Sequence, residues 1–162
     1  RCKIPHNLTI MGIIDDLKKR VMMFNDGLTS GEFIKDIVEE NEAFIVELNS
    51  EEQLFEKGIT STGVSIADYA PYSQVTVEIK RQKGQPVNRV TLRDEGDFHA
   101  SFAIKADNEQ FEIVANDWKV KDLTLYYGDE ILGLTDDNIV VVARDFVYPE
   151  LMEKAKKIIY GD

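Results

Sequence analysis

The chain is poor in the residues that most often carry chemistry. It holds one cysteine, Cys2, so no disulfide can close within it and no cysteine-based zinc site can be assembled. Its two histidines are His6 and His99. No apolar run approaches the ~20 residues that a bilayer-spanning helix needs, so no membrane partner is expected. Residues 1–10, RCKIPHNLTI, lack a continuous apolar core and a small-residue cleavage site, and no signal peptide is read there. Basic charge is scarce too: 19 Lys and Arg stand against 30 Asp and Glu, a net charge of -11. Affinity for a phosphate backbone comes chiefly from Lys and Arg, which disfavours a free-standing nucleic-acid binder. The same balance disfavours docking on an anionic membrane.

What is present reads as one globular domain. A length of 162 residues suffices to bury a core, and 43% hydrophobic with 30% charged residues is a globular composition. Met11-Gly12 has the look of a start, which makes residues 1–11 a flexible leader or remnant and residues 12–162 a single α+β domain. No internal repeat or low-complexity linker divides it.

Apolar spacing predicts a helix from Gly12 to Phe24, stopped by Asn25-Asp26-Gly27. A second helix is expected from an N-cap at Ser30 to about Lys57, bent at Asn49-Ser50 and stopped by Gly58. Its outer face is acidic, including Glu39, Glu40, Glu47 and Glu51. That face reads either as solvated surface or as a contact surface for something basic. Residues 58–74 read as a loop. Gln74 to Lys83 reads equally as strand or helix. Ser101–Ala106 and Gln110–Ala115 alternate around Asp107-Asn108-Glu109, a hairpin signal. Leu123–Leu134 reads as a short helix followed by a loop. Ile139–Ala143 is β-branched and reads as a buried strand. Pro149 opens a last helix to Tyr160. Helices packed on a small, mainly antiparallel sheet, with a C-terminal helix, make the expected fold.

Little of this points to a reaction. His99 has Asp94, Asp97 and Ser101 near it in sequence, but a catalytic triad is defined by geometry and is usually assembled from distant segments. His99 therefore reads as a packing residue, with a small hydrolase as the rival reading. Asp129-Glu130 and Asp136-Asp137-Asn138 offer clustered oxygens for a hard cation, though at no EF-hand spacing; neither metal nor cofactor is expected. The main positive patch is Lys80, Arg81, Lys83, Arg89 and Arg93, with Tyr69 and Tyr72 beside it. On so acidic a chain it reads better as a contact for the acidic face of another copy than as a nucleic-acid surface. Opposed patches on different faces favour head-to-tail contact and ring closure.

The stretch Gly84–Phe102, GQPVNRVTLRDEGDFHASF, carries the most specific signal. A Gly-Gln-Pro loop is followed by Leu92-Arg93-Asp94-Glu95-Gly96-Asp97-Phe98 and Ser101. This resembles the Leu-x-Asp-Thr-Gly-x-Leu-x-x-Ser pattern of the tail-completion or head–tail joining family of tailed bacteriophages, with Glu95 in place of Thr and Phe98 in place of Leu. Tyr126-Tyr127-Gly128 and the Pro149-led helix are similar to later parts of that family. The resemblance implies an α+β structural protein of the virion, assembled in the host bacterial cytoplasm, without enzymatic activity. It implies a homo-oligomeric ring, a hexamer or a dodecamer, contacting connector and tail proteins and surrounding DNA without sequence preference. The rival functional reading is a small acidic monomer that captures a basic or DNA-binding partner. In the motif, Gly96 is expected to supply a positive φ, Asp94 to bond its own backbone, and Leu92 and Phe98 to pin both sides of the turn into the core.

Overall fold

The first helix runs past both of its expected ends. In the computed structural model, which describes residues 6–161, α1 spans His6–Thr29. It passes through Asn25-Asp26-Gly27 because Gly27 is needed for packing: a Cβ there would stand 2.3 Å from the Phe33 ring. The Phe24 and Phe33 rings lie 5.7 Å apart at the same contact. Residues 6–11 thus belong to a helix. Residues 1–5, with Cys2, lie outside the described residues.

The expected second helix is three pieces: α2 (Glu32–Glu40), α3 (Glu42–Glu47) and a π-helix over Leu48–Lys57. Gly31, at φ 78°, takes the N-cap position expected for Ser30, whose hydroxyl donates to Gly27 O at 3.1 Å. Asn41 marks the first break, its Nδ2 donating to Ile37 O and to Glu150 Oε1, each at 2.8 Å. In the π-helix the buried residues Leu48, Asn49, Gln53 and Leu54 recur at five-residue intervals, the wider turn of i→i+5 bonding. Gly58, at φ 64°, ends it.

Within the expected loop lies a short helix, α4 (Ile66–Tyr69). Gln74–Gln82 is helical (α5), fixed by Ser73, whose Oγ accepts from Thr76 N at 3.1 Å. The β-prone Val90-Thr91-Leu92 forms no strand; it runs irregularly into α6 (Asp97–Ala100). The hairpin pairs β1 (Phe102–Ala106) with β2 (Phe111–Ala115), antiparallel, with Ile104 opposite Ile113. α7 (Val120–Tyr127) and a 3₁₀ turn at Asp129–Ile131 follow.

Ile139–Ala143 is not a strand. It belongs to α8 (Asp136–Val142), which Thr135 caps by accepting from Asn138 N at 3.3 Å. Of that β-branched run Val142 is buried, while Ile139 and Val140 are 48% and 59% exposed. A side-chain cap and a helical burial period override β propensity. α8 continues through a second π-segment, Ala143–Val147, into α9 (Tyr148–Tyr160), with Pro149 in its first turn.

The core gathers Val38, Ile45, Leu48, Leu54, Ile66, Val90, Phe98, Phe102, Ile113, Ile131 and Val142. Each fully buried aliphatic side chain contributes about 1.5–3 kcal/mol. The fold is therefore α+β: N-terminal helices against a two-stranded antiparallel sheet, closed by a C-terminal helix. Among the described residues no helix is long and apolar enough to cross a membrane.

Candidate functional site

The Gly84–Phe102 segment is held by paired charges, of which Lys80 turns inward. α5 ends beside it, and Lys80, on the last turn of α5, is 6% exposed. Its Nζ donates to Arg93 O at 2.6 Å and to Gln85 Oε1 at 2.9 Å, and lies 5.1 Å from the centroid of the Tyr72 ring. Lys83 donates to Asp94 Oδ1 at 2.6 Å. That bond raises the lysine's pKa and lowers the aspartate's. Arg89 Nε donates to Phe55 O at 2.6 Å. Arg93 donates twice to the Glu51 carboxylate, at 2.9 and 2.7 Å, with its guanidinium 4.7 Å from the Phe55 ring centroid. Arg81 pairs with Glu78 at 2.9 Å.

All five residues of the positive patch thus have partners in the same chain. The acidic helix and the basic segment, read from sequence as separate faces, meet at Glu51–Arg93. Reversing Lys80 to Glu would bury an unmatched carboxylate rather than probe a surface. Tyr72 is committed inward as well, its hydroxyl accepting from Thr91 N at 2.9 Å. Tyr69 donates to Tyr127 O at 2.6 Å. Of the acidic residues, Glu39, Glu40 and Glu47 are exposed, and Glu39 lies 3.8 Å from Lys35.

The turn itself is anchored by shape. Gly96 has φ 101° and starts α6. Phe98 is 4% exposed and meets Phe102 edge-on, with centroids 4.9 Å apart at 82°. Leu92 packs against the core at φ 52°, a left-handed backbone that costs a non-glycine residue about 1–2 kcal/mol. Asp94 bonds Lys83 rather than its own backbone. His99 is buried, its Nε2 2.9 Å from Thr91 O, and its Nδ1 has no partner. Burial pushes its pKa down to about 4. Ser101 Oγ donates to Phe98 O at 2.7 Å, and neither it nor Asp94 nor Asp97 bonds His99. No Ser–His–Asp triad is assembled around His99.

Sequence reading missed a buried polar cluster. Gln53 Oε1 accepts from Thr135 N at 2.8 Å and Asn138 Nδ2 at 2.9 Å, while its Nε2 donates to Gly133 O at 2.9 Å. Asn49 accepts from Gly133 N at 3.1 Å and donates to Ile131 O at 3.2 Å. Together they clamp residues 131–138 to the π-helix. The one signal was a pair of amides in a helix otherwise acidic outside and apolar inside. Asp136 and Asp137 occupy the first turn of α8, and no group of three potential ligands for a metal ion occurs among the described residues. No known family, curated protein or solved structure matches this chain.

Proposed function

We propose that the chain is a structural virion protein of the phage neck or tail end, assembling as a ring at the head–tail interface. The motif resemblance suggests the setting. The observation that carries assembly is an apolar stripe on α1 that outruns its support. Ile13, Leu17, Phe24 and Gly27 share one side of that helix by spacing. Phe24 and Gly27 are covered by Phe33. α9 packs along α1, but its end at Gly161 stands against Arg20. Toward the N-terminus from that point Ile13, Ile14 and Leu17 are 64%, 46% and 43% exposed. A contiguous apolar stripe in water marks a protein contact.

The contact surface in this reading is α1, with the Lys80–Arg93 segment acting as internal scaffolding for the turn. Ile13→Glu with Leu17→Glu is expected to leave the fold intact and to abolish higher-mass species in light scattering. An unchanged assembly mass in the double variant would remove the α1 stripe from the interface. A wild-type chain that stays monomeric at high concentration and retains a basic host protein favours the second reading, a small acidic binding module. The observation favouring that reading is the exposed carboxylate group of Glu39, Glu40 and Glu47.

A further inference from the structure

One edge of the hairpin is closed and the other is open. In an antiparallel pair, residues alternate between facing their partner with both backbone groups and facing away. Asn116 N donates to Ser101 O and Asp107 N to Gln110 O, each at 2.9 Å. Stepping by two from these along the register makes Ala103–Val114 and Lys105–Glu112 the bonded pairs. The backbone groups of Ile104 therefore point outward from β1, and those of Phe111, Ile113 and Ala115 point outward from β2. On the β1 side, Ile104 N donates to Glu42 Oε1 at 2.8 Å, and α2 and α3 cover the edge. On the β2 side, the outward groups of Phe111, Ile113 and Ala115 meet no hydrogen-bond partner among the described residues.

A groove of about 630 Å³ lies along that open edge. Phe111 to Val114, four consecutive residues, line it. Consecutive side chains of a strand face opposite sides, so a groove that touches all of them follows the strand's edge. Leu132, Leu134 and Ile139 give it an apolar lining, and Asp129 joins Glu112 on the rim. Both carboxylates are exposed, and neither pairs with a cation among the described residues.

We propose that this edge receives an extended segment of a partner protein with alternating apolar and basic side chains, which adds a third strand to the hairpin. Backbone hydrogen bonds to Phe111, Ile113 and Ala115 give the segment its register. Its side chains alternate between the two faces of the sheet, the apolar ones on the buried Ile113 face and the basic ones on the exposed Glu112 face. The occupant is a single strand rather than the hairpin of a second copy. A second copy would bring its own Glu112 and Asp129 against the same two carboxylates, so like charges oppose a symmetric β2–β2 pairing. The inference does not depend on the α1 stripe.

The test uses a capped, fluorescently labelled peptide of alternating lysine and valine. Titrated into the full chain, it is expected to bind and to slow hydrogen exchange at the Phe111, Ile113 and Ala115 amides. Glu112→Lys with Asp129→Lys is expected to weaken it about tenfold, two rim charges reversed. Methylating alternate backbone nitrogens of the peptide removes its donors and is expected to abolish binding. Ile13→Glu with Leu17→Glu is expected to bind it as wild type does, which separates this edge from the assembly stripe. Three results would overturn the proposal: no binding at millimolar peptide, binding indifferent to backbone methylation, or protection of the same amides that rises with protein concentration alone. The last would place a second copy on the edge.

Discussion

His99 shows how a single side chain couples the turn to pH. Its ring is buried beside Thr91, Phe98 and Phe102, and burial holds its pKa at about 4, below the ordinary 6.5. As pH falls, the unfolded chain takes up this proton first. Stability is therefore full above about pH 6.5 and is lost progressively down to pH 4, by about 3 kcal/mol in all. His99→Gln keeps a donor for Thr91 O and removes the titration. Urea unfolding of the two proteins across that range is expected to show a smaller acid loss in the variant; equal slopes would mean that His99 does not carry the effect. At this scale the sequence made Gly96 and Phe98 legible, because a sharp turn before an aromatic residue constrains both. It did not make Asp94 legible, because its partner Lys83 lies eleven residues away on another element.

Helices were readable where one period held and unreadable where the period changed. The hairpin at 102–115 was legible because alternation and an Asp-Asn-Glu turn agree. The π-helix reads from sequence as ordinary α-helix because its acidic outer face suits either period, and the inward position of Asn49 and Gln53 emerges only with the wider turn. α8 reads from sequence as a strand because its cap, Thr135, lies before the β-branched run. The Gln53 cluster gives this level its prediction. Gln53→Leu keeps the volume but leaves Thr135 N, Asn138 Nδ2 and Gly133 O without their partner. Each such buried group costs about 1–3 kcal/mol. A loss of several kcal/mol in chemical denaturation is expected, together with faster exchange of the Gly133 and Thr135 amides. A loss under about 1 kcal/mol would show that water or local shifts replace the clamp.

Across the whole molecule the decisive quantity is charge, and composition alone misplaced it. The net value of -11 is a property of the sequence, but which charges face a partner depends on which are already paired. Arg93 with Glu51 and Lys83 with Asp94 neutralise much of the positive segment within the chain. Salt should therefore act in opposite directions on the two proposed contacts. Copies meeting through α1 carry like net charge, so added salt is expected to tighten their association by screening repulsion and strengthening apolar burial. A basic peptide on the β2 edge is expected to bind more weakly as salt rises. Sedimentation and peptide titration over one salt series measure both, and parallel trends would mean that one contact is misassigned.

The length of α1 has a mechanical consequence. The 14 residues from His6 to the one before Arg20 form a rod of about 21 Å at 1.5 Å per residue. Its fulcrum is the seam where Arg20 meets the end of α9 and Phe24 meets Phe33. α1 is held chiefly by α9 and α2 rather than by the core residues Ile45, Leu54 and Phe98. A load borne by α1 is therefore passed first to α9 and α2 and reaches the core only through them.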